Sequence, residues 1–348
     1  MSSTPPDAGF SESEPAPGHD ELPIVILAKG SPVQQPAADG DSGPTSAGVA
    51  VSAFGGPLSV LHFRVPALEQ GQIRIKVAGA GVGLWDLIER SGVLGPLLSA
   101  PRALGWEASG TVVEVGPGVN RFAVGDRVVT YRPMTGLQSD LAVAREDDTV
   151  QAPKTVPLHH AGALLISGAA AHLALADTAQ VRAGQTVLIT AGAGGTGTYA
   201  VELAKHLGAH VVATAGPANL DFARELGADE VYDYHGDAVA EIRQAHPDGV
   251  DVMMDNVSAD NFSAYAPLVR SGGWAISTHE PLGTAPDGVK TELIISWEQR
   301  AAYEQVVKLV DDGVLTVRIG AEFPFDRASA AYDLVESRHG RGRVLLVP

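Results

Sequence analysis

Residues Val187–Tyr234 read VLITAGAGGTGTYAVELAKHLGAHVVATAGPANLDFARELGADEVYDY. Val187-Leu188-Ile189-Thr190 is a short apolar run of the kind found in strands buried on both faces. Gly192, Gly194 and Gly197 follow in G-x-G-x-x-G register. Ala200, Leu203, Ala204 and Leu207 then recur at helical spacing until Gly208, and His210 to Thr214 is a second β-rich run. Strand, glycine turn, helix and strand make a right-handed βαβ unit. Glycine in such a turn supplies positive φ, lets the backbone approach a pyrophosphate, and lets the helix pack closely on the strand. An anion can then rest on free N–H groups at the helix start. Gly192, Gly194, Gly195, Thr196 and Gly197 are therefore candidate dinucleotide-binding residues.

Beyond this unit the alternation continues. Ala238–Ala245 reads as a helix, Val250–Met254 as a strand, Phe262–Val269 as a helix and Gly273–Thr278 as a strand. Strands separated by helices predict a parallel sheet covered on both faces. Tyr303, Val306, Val307 and Val310 define an amphipathic helix ended by Gly313. A helix from Arg327 to about Ser337 and a strand over Arg343–Val347 complete the chain. Upstream, Ala161–Ala176 is an alanine- and leucine-rich helical linker. Before it, Val49–Phe54, His62–Val65, Gln72–Val77, Thr111–Val115 and Val128–Thr130 read as short strands. Gly81–Gly95 reads as a loop with a helical piece over Trp85–Arg90. Many short strands at close turns predict a partly open β-barrel. The expected fold is α/β: a Rossmann-type doubly wound parallel sheet plus that barrel. Residues 1–46 are rich in Pro, Ser, Gly and acidic residues and predict a disordered tail, in which Pro23–Ala28 (PIVILA) alone has strand character.

Of the 348 residues, 24 are Lys or Arg and 41 are Asp or Glu, a formal charge of −17 that argues against nucleic acid and anionic membranes as partners. The absence of cysteine excludes disulfides, a thiol nucleophile and thiolate-bound zinc. No apolar run approaches the roughly 20 residues a membrane helix needs. No basic segment followed by an apolar stretch opens the chain. A cytoplasmic protein acting on a small-molecule substrate is expected.

Five collinear segments carry a resemblance: AGAGVGLWDLIERSG (Ala78–Gly92), GWEASGTVVEVGPGVNRFAVGDRVV (Gly105–Val129), the Val187–Tyr234 stretch, DNVS with RSGGWAIS (Asp255–Ser258, Arg270–Ser277), and LVESRHGRGRVLLVP (Leu334–Pro348). Over about residues 48–348 the chain resembles the medium-chain dehydrogenase/reductase superfamily, in its zinc-independent quinone oxidoreductase (zeta-crystallin-like) branch. The resemblance implies a GroES-like catalytic domain from both chain ends, residues 47–166 and 298–348, with a NADP-binding domain at 167–297. It also implies a cleft between them and a homodimer or homotetramer. The zinc branch carries Cys and His-Glu where this chain has Gly83 and Trp106-Glu107, so no catalytic metal is expected. His159, His160 and His172 are read as a helix-start pair and a buried or capping histidine, with no carboxylate at ligand spacing.

The tip of the second strand is Ala215-Gly216-Pro217, without the acid that NAD sites place there. By resemblance, Tyr234 and Arg338 align with residues that contact a 2′-phosphate, Asn219 replaces a lysine of that pocket, and Asn256 and Thr278 join the cofactor site. NADPH is the implied cofactor. At the reacting end, the usual Asn, Tyr and Thr are replaced by Gly83, Leu94 and Ala170. Candidate proton donors are Tyr131, Ser167, His172 and His279, and Trp85 and Trp297 are candidate walls for an aromatic substrate. The implied activity is hydride delivery to a quinone or α,β-unsaturated carbonyl. The alternatives are an enoyl reductase tailoring a polyketide-like metabolite and a non-catalytic NADPH-binding homologue.

Overall fold

The structure, a computed structural model, describes residues 37, 44–94, 98–279 and 282–348. The Pro23–Ala28 strand and nearly all of the expected tail lie outside these residues. β1 (Thr45–Val51) begins two residues inside the segment read as tail, and the Ala37 N–H donates to His62 O at 3.0 Å.

In chain order, β1 is followed by β2 (Leu58–Arg64), β3 (Gln72–Val82), α1 (Leu84–Ser91), β4 (Arg102–Ala103), β5 (Glu107–Val115), β6 (Arg127–Tyr131), β7 (Leu141–Arg145) and β8 (Thr149–Gln151). These strands form two sheets, β2-β1-β4 and β15-β16-β3-β5-β6-β8 with β7 paired to β3, and neither closes into a barrel among the described residues. The last two strands, β15 (Ile319–Pro324) and β16 (Arg343–Val347), come from the other end of the chain. β16 is a buried apolar run that pairs antiparallel with β3, Leu345 opposite Gly81.

The linker is not one helix. α2 (Leu158–Ala161) is a single turn, α3 (Leu165–His172) follows, and a π turn covers Leu173–Thr178. The break at Gly162 has a packing cause: a Cβ there would overlap Gly79 O, and one on Gly79 would overlap His159 O. This close approach also explains why β3 runs through glycines to Val82, five residues past the expected end. Glycine in a strand marks close backbone approach as readily as a loop.

The second sheet is parallel throughout, in the order β11-β10-β9-β12-β13-β14. Its strands are β9 (Thr186–Ile189), β10 (His210–Ala215), β11 (Glu230–Asp233), β12 (Val250–Asp255), β13 (Val269–Ser277) and β14 (Lys290–Leu293). Its helices are α4 (Gly195–His206), α5 (Leu220–Glu225), α6 (Ala238–Ala245) and α7 (Ala259–Tyr265). Val187, Ile189, Val211, Ala213, Val252 and Met254 face one core, while Leu188, Val212 and Met253 face another. Both faces are thus covered, as the unbroken apolar runs require. One expectation for this half needs correction. The helix read over Phe262–Val269 stops at Tyr265 in a 3-10 turn containing Pro267, and Val269 opens β13. β14 and β15 carry too little apolar pattern to be seen in sequence. Helices α8 (Arg300–Asp311) and α9 (Ala328–Ser337) complete the molecule.

Candidate active-site cleft

A cleft of about 490 Å³ lies between the C-terminal ends of the parallel strands and the α1 end of the other sheet. This is where an open α/β sheet places its ligands. β9 ends at Ile189, and Gly194 caps α4 with no side chain bonded to the helix start. The first N–H groups of α4 have no partner within the helix, and Gly194, Gly195, Thr196 and Gly197 line the cleft. The left-handed residue of this turn is Ala191 (φ 50°), not a glycine; Gly192, Gly194 and Gly197 have no positive φ. Their lack of a Cβ matters for packing instead. A Cβ on Gly197 would overlap Ala191 O, and one on Gly192 would lie 2.9 Å from Ala213 Cβ. A Cβ on Gly194 meets only Ala191, its oxygen at 3.2 Å, so it would project into the cleft. Gly194 thus forms a cradle that a dinucleotide pyrophosphate fits.

Behind the turn, the strand ends are tied together. Thr190 Oγ1 donates to Asp255 Oδ1 at 2.7 Å, and Asn256 Nδ2 donates to Thr190 O at 3.0 Å. Thr278 Oγ1 donates to Asn256 Oδ1 at 3.3 Å. Asn256 and Thr278 therefore reach the cleft in fixed orientations. Tyr234 and Arg338 line it too, Arg338 being the left-handed residue (φ 57°) that ends α9.

Asn219 does not line the cleft. Its Oδ1 accepts from Arg341 Nε at 2.6 Å, while Arg341 Nη2 donates to Ala218 O at 2.5 Å and the guanidinium lies 5.4 Å above the Phe222 ring. Arg341, brought from the far end of the chain, thus stands beside position 219, and neither residue lines the cleft. No local pattern around Asn219 signals this.

On the opposite wall, Gly83, Trp85, Tyr131, Ser167 and Ala170 line the cleft. Trp85 stacks at 5.4 Å on the buried Trp106, whose Nε1 donates to Glu89 Oε2 at 2.7 Å; Glu89 also takes Arg102 Nε at 2.6 Å. Trp297 and Ile294 add apolar surface. Ser296, which the sequence did not mark, is buried in the cleft wall and donates to the Tyr131 hydroxyl at 3.3 Å. Burial pushes the Tyr131 hydroxyl above the usual phenol range, so it stays protonated. His279 lines the cleft, and burial holds its imidazole below the usual histidine range. Ser167 Oγ accepts from Thr196 Oγ1 at 3.2 Å, linking α3 to α4. Glu107 is committed elsewhere: it is paired with Arg343 and accepts the Ile166 N–H at 3.0 Å.

Several predicted site residues lie elsewhere. Leu94 is buried in the main core rather than in the cleft wall. His172 points away from the cleft, its Nδ1 3.4 Å from Asp177. Ala215 is packed against Ala193 and Ala223, and Gly216 faces the Tyr234 ring without lining the cleft. Gly192 serves the turn's packing on β10.

Residues 69–186 match the alcohol dehydrogenase GroES-like domain family, and residues 226–346 the family described as zinc-binding dehydrogenase. The chain is 31% identical over 322 residues to a chloroplastic quinone-oxidoreductase homologue of Spinacia oleracea, covering 85% of this chain and 97% of that protein. It is 31% identical over 303 residues to a 2-haloacrylate reductase of a Burkholderia species, covering 80% and 91%. The crystal structure of Escherichia coli quinone oxidoreductase complexed with NADPH superposes with a TM-score of 0.80 at 26% identity, covering 87% of this chain and all of that one. With a glycine cradle at the ends of a parallel sheet facing a GroES-like wall, the chain belongs to the medium-chain dehydrogenase/reductase superfamily of oxidoreductases, in its quinone oxidoreductase-like branch.

Proposed function

We propose that this protein reduces a quinone or an α,β-unsaturated carbonyl with NADPH. One observation carries the reading: a single cleft joins the glycine turn at the start of α4, with Tyr234 and Arg338, to a chamber walled by Trp85, Tyr131 and Trp297. When bound, NADPH supplies the hydride. The α4 N-terminus would hold the pyrophosphate. Tyr234 and Arg338 would hold the 2′-phosphate, which a strand tip without an acid leaves room for. Trp85 and Trp297 would sandwich a flat acceptor and exclude water. Reduction places negative charge on the acceptor oxygen, and the Tyr131 O–H can donate to it because burial keeps that proton on. Ser296 orients Tyr131 by donating to its oxygen. Gly83 and Ala170 leave space where relatives carry polar groups, which suits a bulky acceptor.

The test is titration with NADPH and NADH, followed by a screen of quinones and enones for cofactor oxidation. Turnover of one acceptor class is expected; tight NADPH binding with no turnover on any acceptor would assign the chain to a non-catalytic role. Arg338→Ala should weaken NADPH roughly 10- to 100-fold, the scale of a lost charge-assisted hydrogen bond, and leave NADH nearly unchanged. Equal losses for both cofactors would remove the 2′-phosphate assignment.

A further inference from the structure

Outside the cleft, the histidine pair at the start of α2 meets a carboxylate that the sequence places far away. His159 Nε2 lies 3.7 Å and His160 Nε2 3.9 Å from the same oxygen, Glu322 Oε2 on β15. We propose that His159, His160 and Glu322 bind a divalent transition-metal ion of the Zn²⁺ class, bridging the linking segment to the returning C-terminal strand.

Neighbouring residues on a helix ordinarily point in different directions. Here α2 is only one turn long, and its two rings stand edge to face with centroids 4.3 Å apart. The N···O separations are too long for hydrogen bonds. They are close to what a shared ion needs: tetrahedral bonds of about 2.1 Å put ligand atoms about 3.4 Å apart. The two His–Glu322 separations need contract by only a few tenths of an ångström, and all three ligand atoms lie within 4.8 Å of one another, a spread that side-chain rotation can draw in. Two imidazoles and a carboxylate are the donor set of Zn²⁺ and related ions, and an open side leaves room for water as a further ligand. All three side chains are about one-third exposed, which gives the ion a way in. Their backbones are held firmly: α2 by the Gly79–Gly162 contact and by Ser109 Oγ donating to Leu158 O, β15 by its pairing with β16.

A second cluster, His210, Glu230 and His246, also has metal-ligand composition. There the groups already satisfy one another. His210 Nε2 is 2.7 Å from Glu230 Oε1, and Glu230 Oε2 accepts the Tyr232 hydroxyl at 2.6 Å. The gap that distinguishes the first cluster is absent.

The experiment is equilibrium dialysis and calorimetry of the full chain with Zn²⁺, and visible absorption with Co²⁺ as a spectroscopic stand-in. Wild type should bind one ion per chain, with a Co²⁺ band of four- or five-coordinate character and a rise in Tm on adding Zn²⁺. His160→Ala and the near-isosteric Glu322→Gln should both lose the ion, the band and the Tm rise, while His246→Ala keeps all three. Circular dichroism verifies that each variant is folded. Absence of Zn²⁺ binding by wild type, undiminished binding by folded Glu322→Gln, or loss confined to His246→Ala would each overturn the proposal.

Discussion

Tyr131 and Ser296 show how the reacting end of the cleft is built from single side chains. They are far apart in sequence, lie on β6 and on the segment after β14, and meet at 3.3 Å in the cleft wall. Tyr303 closes the arrangement by donating to Ser296 O at 2.8 Å. Removing the Tyr131 hydroxyl while keeping its ring isolates its contribution. Tyr131→Phe should lower kcat by roughly 100-fold, the usual scale for one oxyanion donor, with KM little changed. Ser296→Ala should lower kcat less, because it only orients Tyr131. Steady-state kinetics on the acceptor found in the screen decides; an unchanged kcat in Tyr131→Phe would move the proton to His279 or to water. Tyr131 was visible as a candidate because a tyrosine at the end of a strand stands out. Ser296 was not, since a lone serine between Ile295 and Trp297 carries no signal. Arg341 was missed for the same reason: its partners Asn219 and Ala218 are remote in sequence.

At the scale of elements, the glycine turn separates two jobs that one motif joins. Gly194 is extended (φ −79°, ψ −179°) and a Cβ there makes one tight contact, 3.2 Å to Ala191 O, so a larger residue should fold with a small adjustment and yet block the cradle. Gly197 has none: a Cβ would overlap Ala191 O and lie 2.7 Å from Gly192 Cα, lifting α4 off β9. Gly194→Val should therefore lose NADPH binding with a smaller fall in Tm than Gly197→Val. Gly197→Val should be destabilised by about 1–3 kcal/mol, the cost of overpacking, measured by urea unfolding without cofactor. If both variants lose stability equally, the turn is a packing device only. The βαβ unit was legible because its glycines fall between an apolar run and a helical repeat. The positive φ expected at a glycine falls on Ala191 instead, a detail set by the turn's path from β9 into α4.

For the molecule as a whole, a buried polar group ties both chain ends together. Asp86 on α1 is almost fully buried; its Oδ2 accepts the Gly83 N–H at 2.8 Å and its Oδ1 accepts from Gln138 Nε2 at 3.3 Å. Gln138 Oε1 in turn accepts the Tyr332 hydroxyl of α9 at 2.9 Å. Burial pushes the Asp86 carboxyl well above the usual carboxylate range, and nearby Glu89 and Glu107 push it further. The folded state therefore holds this proton more tightly than the unfolded chain. That contribution to stability is complete below the unfolded value of about 4 and is lost as pH rises through the folded value. Relative to Asp86→Asn, wild type should lose unfolding free energy between about pH 5 and about pH 8. Urea denaturation of both proteins at the two pH values checks this, and parallel curves would show that Asp86 does not titrate in that range. Among the described residues, no helix is long and apolar enough to cross a membrane.

The amino-acid sequence alone determined the parallel sheet, its cradle and the antiparallel wall opposite. Each is written in local periodicity: apolar runs for strands buried on both faces, a 3.6-residue repeat for helices, glycine between them. It also marked Trp85, Tyr131, Tyr234, His279, Trp297 and Arg338, which the fold gathers along one cleft. Only the tertiary structure decided that Leu94 and His172 lie outside that cleft, that Arg341 stands beside Asn219, and that Glu322 faces the His159–His160 pair. The last two juxtapositions depend on how β15, β16 and the segment after α9 return to the first sheet. Pairing between distant strands is set by the packing of whole surfaces, and no local pattern records it.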